Sequence, residues 1–316
     1  MSPTREFGFH TTADEVLEGI DLRGRVAVVT GGSGGLGAET ARALAVKGAE
    51  VTIGCRDAAR GAQVVETIKA TAGSGAVHVD ALDLLDQASI QAFAESVCAR
   101  HPQVHMLINN AGVMGCPLGR SPEGWELQFA TNHMGHFLLT NLLLGALQAG
   151  APSRVVSVSS AGHMRAPVDF DDLHFERRPY EKWEAYGQAK TANALFAVAL
   201  DARVASSGVR AFSLHPGAIP TDLGRHLSKE DLAPLLERIT ATAGGFKEVP
   251  SGAATSVWAA TAPELDGKGG LYLEDCGLSA PVGTEGVTTG YLPHAVDPAM
   301  AVRLWEVSEA LLGRHF

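Results

Sequence analysis

The 316-residue sequence has only four cysteines, no apolar run near the length of a membrane span and no cluster of lysine or arginine. Each absence excludes a class of protein. Cys55, Cys98, Cys116 and Cys276 are scattered, without a CxxC pair or zinc-type spacing, so they read as free thiols of a reduced compartment. Without about 20 consecutive apolar residues no transmembrane helix is expected. The opening MSPTREFGFH also lacks the charged-then-apolar order of a secretory signal. A cytoplasmic protein without a membrane anchor is the expectation. The 25 basic residues are outnumbered by 35 acidic ones, a formal net charge of −10. Such a chain lacks the electrostatic footprint of a nucleic-acid binder and is not drawn to anionic lipid. No compositionally biased tract occurs and the 36 glycines follow no three-residue period, which excludes a disordered chain and a collagen.

What is present is an ordinary apolar content, 46% hydrophobic with 19% charged, in a chain long enough for one large core. Short β-branched runs at 25–30, 49–53, 76–84, 104–109, 154–160, 209–214 and 270–274 read as strands. Helical patterns separate them at 38–47, 57–70, 86–100, 121–148, 183–206 and 251–260, with Ser121-Pro122-Glu123 in the order that opens a helix. Seven strands alternating with helices predict an α/β fold of the Rossmann kind, a doubly wound, mostly parallel sheet with helices on both faces. With no biased linker, residues 1–316 read as a single domain. Residues 1–22 form an N-terminal extension, and 218–249 a polar, partly helical lid over a cleft. The tail 277–316 carries an amphipathic helix at 298–312, covering either the pocket or a neighbouring subunit.

Thr30-Gly-Gly-Ser-Gly-Gly-Leu-Gly37 joins the first strand to the first helix. Glycine lets the chain turn tightly and lets a pyrophosphate approach bare amides, with the helix N-terminus behind them. Gly31, Ser33, Gly34, Gly35, Leu36 and Gly37 are therefore candidate cofactor contacts. An acid at the end of the second strand would hold the ribose hydroxyls of NAD. Here the residues are Gly54-Cys55-Arg56-Asp57, and a guanidinium can grip a 2′-phosphate, so NADP is favoured over NAD. The alternative places Arg56 on the surface, paired with Asp57. Asp83, beside Leu84, either accepts from the adenine amine or is a loop acid. Asn110, Ala111 and Gly112, after the fourth strand, pass close to a ribose or form a turn.

Tyr186 and Lys190 lie four apart on a helix and share a face. A phenol near pKa 10 becomes a useful base only when its phenolate is favoured, and an ammonium one turn away can contribute. His133 and His136, three apart, have a spacing that could hold a metal, but with no third ligand nearby they read as packing.

Thr30–Gly37, Asn109-Asn110-Ala111-Gly112, a serine ending the fifth strand and the Tyr186/Lys190 pair occur in one order. In that order the sequence resembles the short-chain dehydrogenases/reductases of single-domain type, over residues 22–280. The resemblance implies that Ser160 hydrogen-bonds the reacting oxygen and that Tyr186 is the general acid/base. Lys190 would bind the nicotinamide ribose and lower the tyrosine pKa. Asn132 would help hold a proton-relay water, and Pro216, Gly217 and Thr221 would line the nicotinamide. Ser159 is a neighbour that strand alternation turns to the other face. Ser160 and Tyr186 are 26 residues apart, roughly twice the common family spacing. With Cys55-Arg56-Asp57 and Gly270-Leu-Tyr-Leu-Glu-Asp-Cys276, this is similar to the retinol-dehydrogenase-like branch. Its animal members often carry a membrane anchor, so retinoid does not transfer as substrate. Met114, Cys116, His163 and Met164 would border a largely apolar pocket for a small lipophilic carbonyl or alcohol. Family members are often homo-oligomers. A nucleotide-binding scaffold without turnover and a hydride-using epimerase or dehydratase are the competing readings.

Overall fold

Thr12 opens the first helix, α1 (Ala13–Val16), through a capping box in which Thr12 and Glu15 each accept from the other's backbone N–H. The chain then alternates. First come β1 (Val26–Thr30), α2 (Gly35–Val46), β2 (Glu50–Cys55), α3 (Ala58–Ala72), β3 (Val77–Ala81), α4 (Gln87–Arg100) and β4 (Met106–Asn109). Next are α5 (Leu127–Phe129), a wide π turn (Ala130–Met134), α6 (Gly135–Leu142), α7 (Leu144–Ala149) and β5 (Ser153–Val158). The rest is α8 (Lys182–Val204), β6 (Val209–His215), α9 (Lys229–Ala241), α10 (Val249–Thr261), β7 (Leu271–Glu274), β8 (Gly277–Leu278) and α11 (Pro298–Leu312). This computed structural model describes residues 6–72, 76–241, 245–284 and 289–316. Parts of the expected N-terminal extension (1–5), lid (242–244) and tail (285–288) thus lie outside the described residues.

The sheet has the order β3-β2-β1-β4-β5-β6-β7-β8, parallel from β3 to β7. The strand order reverses between β1 and β4, which opens a crevice at the carboxyl ends of the strands. Alternate residues of the strands feed two cores. Val28, Leu107, Val155 and Ala211 pack under α4, α6, α8 and α11, and Ala27, Val29, Ile108 and Val156 under α1, α2, α3 and α10.

Two expectations need correction. An eighth strand joins the seven: β8 pairs antiparallel with β7 and, at two residues, is too short to display a period. No helix starts at Ser121, because Gly124 at φ +88° turns the chain back before a helical turn completes, and Arg120 bridges to Glu126. Glu126 instead caps α5, accepting from the amides of Gln128 and Phe129. The tail helix α11 covers its own chain: Trp305 stacks on Phe196 of α8 at 6.2 Å and meets Phe137 of α6 edge-on at 4.8 Å. Among the described residues no helix is long and apolar enough to cross a membrane.

Candidate active site

β1 ends in the glycine turn, which depends on the absence of side chains. Gly31 has φ +70°, and a Cβ there would lie 2.8 Å from the Ala111 Cα. A Cβ on Gly37 would lie 2.4 Å from the Gly31 carbonyl oxygen. No side chain caps the first amides of α2 from Gly34, so Gly35, Leu36 and Gly37 begin a helix with its N–H groups open. Bare amides at the positive end of a 12-residue helix suit a pyrophosphate. The Ser33 hydroxyl is turned to the Cys55 thiol.

Thr30 and His136 hold the neighbouring strand ends together, a contact across 106 residues that no local pattern announces. The Thr30 hydroxyl accepts from the amides of Asn110 and Ala111, both at 3.0 Å. His136 donates from Nδ1 to the Asn132 carbonyl at 2.9 Å, which leaves Nε2 to accept from Thr30 at 2.8 Å. Asn110 donates its side-chain amide to the Thr30 carbonyl at 2.8 Å. The Asn110 side chain thus braces the turn. Asp83 lies two residues beyond β3 and accepts from the Leu85 amide at 3.0 Å, as a loop acid does, while the Leu84 side chain is in the core.

Ser160, Tyr186, Lys190 and Asn132 converge beside this turn. A Cβ on Gly162 would lie 2.5 Å from the Tyr186 ring and 3.3 Å from the Ser160 Oγ. A Cβ on Gly112 would lie 3.1 Å from Asn132 Oδ1 and 3.7 Å from Lys190 Nζ. Asn132 sits in the π turn with its amide paired to both backbone groups of Val113. Ser159 donates to the Lys190 carbonyl at 2.7 Å, so Ser160 alone of the two serines faces the tyrosine. Lys190 Nζ donates to the Val158 carbonyl at 2.9 Å and stands 5.8 Å from the Tyr186 ring centre.

Burial governs both titratable groups. It pushes the Tyr186 phenol up to about 12, against a smaller lowering by Ser160, and the Lys190 ammonium down to about 8. The phenol is therefore not lowered here: loss of hydration outweighs an ammonium beyond contact distance.

Arg56 is exposed, with no ion pair to Asp57 among the described residues. Arg60, which the sequence reading missed, reaches the turn itself. Its Nη2 would stand 2.8 Å from a Cβ on Gly34 and donates to Asp222 at 2.6 Å. Thr221 lies over Gly35, and Gly217, at φ +99° beside Pro216, packs on Lys247. His163, expected in the pocket wall, is fully buried and packs against the Ser160 backbone. Its Nδ1 donates to the Ser160 carbonyl at 2.6 Å, and its Nε2 accepts from the Leu292 amide. Cys116 is likewise buried, whereas Met114 and Met164 are half-buried. His133 Nε2 pairs with Ser308 at 2.8 Å, whereas both ring nitrogens of His136 are taken by Thr30 and Asn132.

A Rossmann-type sheet with an open glycine turn and a Ser-Tyr-Lys cluster at its carboxyl edge defines a dinucleotide-dependent oxidoreductase class. The short chain dehydrogenase family profile matches residues 25–171. A Streptomyces antibioticus protein named "Probable oxidoreductase" is 44% identical over 295 residues, 91% of this chain and 97% of that protein. Human retinol dehydrogenase 12 is 42% identical over 294 residues, 93% of this chain and 88% of that protein. A solved structure from Mycobacterium paratuberculosis has 34% identity and a TM-score of 0.75, with coverage of 97% of this chain and 99% of that one. The chain belongs to the short-chain dehydrogenases/reductases, and membership carries the class of chemistry, oxidoreduction between carbonyl and alcohol groups.

Proposed function

We propose that the protein is an NADP(H)-dependent oxidoreductase of a small lipophilic carbonyl or alcohol, with Tyr186 as general acid/base. The observation that carries this reading is the convergence of Ser160, Tyr186 and Lys190 beside an uncapped helix N-terminus. A nicotinamide cofactor bound at the turn supplies or accepts the hydride. Ser160 and Tyr186 hydrogen-bond the substrate oxygen, and the phenol gives its proton to that oxygen in reduction or takes it in oxidation. With the phenol protonated and Lys190 charged at pH 7, the resting site is set to donate a proton to a carbonyl. Lys190, beside Gly112, would bind the ribose of that cofactor, and Asn132 keeps the Gly112–Val113 segment in place.

Arg56 follows β2 and the Arg60 guanidinium reaches Gly34 of the turn, and guanidiniums so placed would favour a 2′-phosphate, hence NADP over NAD. The half-buried Met114 and Met164 support an apolar substrate; the retinol of the human relative's name is not carried over. The whole chain acts as one domain, in the cytoplasm and without nucleic acid. The test is Tyr186→Phe, which lowers turnover by about 10²- to 10⁴-fold while calorimetry still detects NADP⁺. Undiminished turnover refutes the mechanism. In parallel, Arg56→Ala weakens NADP⁺ and spares NAD⁺, and equal losses for both would refute the cofactor assignment.

A further inference from the structure

The amino ends of β2 and β3, at the opposite end of the sheet from the cleft, gather a second set of chemistry-bearing side chains. Glu50 opens β2, His78 is the second residue of β3, and His101 caps the C-terminus of α4. The β2–β3 register pairs Thr52 with His78, so strand alternation puts Glu50, Thr52, His78 and Asp80 on one face of the sheet. Arg100 takes up Asp80 at 3.0 Å and also reaches Thr52. That leaves Glu50 with the two histidines.

Glu50 Oε1 is 3.1 Å from His78 Nε2, and Oε2 is 3.8 Å from His101 Nδ1. One ligand atom from each residue lies within 4.8 Å of the other two, and no other trio among the described residues comes as close. Bonds of about 2.0–2.1 Å to a tetrahedral zinc ion set ligand atoms about 3.3 Å apart. The cluster thus closes on an ion with side-chain movements of about 1.5 Å or less.

His101 adds an independent indication. The residue is 4% exposed, its Nε2 has no hydrogen-bond partner, and its Nδ1 faces the Glu50 carboxylate. At 3.8 Å the carboxylate is beyond hydrogen-bond length of Nδ1, so this nitrogen of a buried ring is open to an ion. Nδ1 is the nitrogen of this ring that faces the Glu50 carboxylate and could join it on a shared ion. Glu50 and His78 are half-exposed, so an ion has a way in and a water can complete its shell.

We propose that Glu50, His78 and His101 bind one divalent transition-metal ion of the zinc class, with the fourth position open to water. Two imidazoles and a carboxylate suit such an ion better than magnesium or calcium, which prefer all-oxygen shells. The ion ties the edge strand β3 to β2 and to the end of α4. Five residues of β2, at about 3.3 Å each, separate it from the cofactor end. Its effect falls on the stability of the sheet edge.

The experiment uses the untagged full-length chain, stripped of metal by a chelator and titrated with Zn²⁺ by calorimetry and with Co²⁺ by visible absorption. One ion per chain is expected, together with a rise in Tm on adding Zn²⁺. His78→Ala and Glu50→Gln each weaken binding by at least about tenfold and abolish the Tm rise. Both positions are half-exposed, so the variants fold, as circular dichroism checks. Cys98→Ser removes the exposed thiol three residues before His101 and leaves binding unchanged. No binding by the unsubstituted chain, equal binding by His78→Ala and Glu50→Gln, or loss in Cys98→Ser overturns the proposal.

Discussion

Lys190 is a buried cation that weakens the fold it belongs to, and Lys190→Met exposes that cost. The residue is 3% exposed, and among the described residues no carboxylate lies within ion-pair distance of it. Burial lowers its pKa from 10.5 to about 8. Each tenfold change in an ionisation constant is about 1.36 kcal/mol, so the charged form costs the folded chain about 3 kcal/mol at pH 7. The sign follows from where protons are held. Below pH 8 both states carry the charge and the whole penalty stands. Between about 8 and 10.5 the folded lysine is neutral while the unfolded one is still charged, so the penalty fades as pH rises.

Methionine has similar length and no charge. It gives up the bond from Nζ to the Val158 carbonyl, about 1.5 kcal/mol for a charged donor. That carbonyl is not stranded, because Asn193 also donates to it at 3.0 Å. The net expectation is a variant more stable by about 1–2 kcal/mol at pH 7, and no more stable near pH 9.5. Urea unfolding followed by far-UV circular dichroism at the two pH values measures both numbers. A variant less stable at pH 7, or an advantage that persists unchanged at pH 9.5, refutes the reasoning. Loss of turnover alongside the gain would mark the lysine as kept for function at the expense of the fold.

His133, His136 and His163, all 2% exposed or less, are held neutral by burial down to about 3, 4 and 4. The stability they contribute is whole above pH 6.5 and is lost as pH falls toward 4, by up to about 3 kcal/mol for each ring. A urea midpoint that stays flat from pH 6.5 to 4 contradicts this. Gly37→Ala forces a Cβ against the Gly31 carbonyl, so dinucleotide affinity drops at least about tenfold and the fold loses about 1–3 kcal/mol; calorimetry showing unchanged affinity would remove the turn from the cofactor site. Asp222→Asn releases Arg60 above Gly34 and tightens NADP⁺ but not NAD⁺, which paired titrations decide.

What the sequence made legible was chemistry encoded within one turn or one strand. The glycine turn, the Tyr186/Lys190 spacing and the strand–helix alternation each depend on residues a few places apart. The features that escaped are contacts across the fold. Thr30 and His136 are 106 residues apart, Arg60 and Asp222 162 apart, and His133 and Ser308 175 apart. The two histidines show why such contacts cannot be read locally. They read as packing, and so they are buried, yet each Nε2 pairs with a different distant hydroxyl that no local spacing announces, and burial keeps each ring neutral. Asn110 makes the same point for the cofactor groove. Its side-chain amide is taken by the end of β1, which parallel crossover topology brings alongside, so only its backbone is left to pass close to a ribose. A polar residue at a strand end must satisfy its own hydrogen bonds first, and only what remains unpaired, such as the amides that open α2, is free for a ligand.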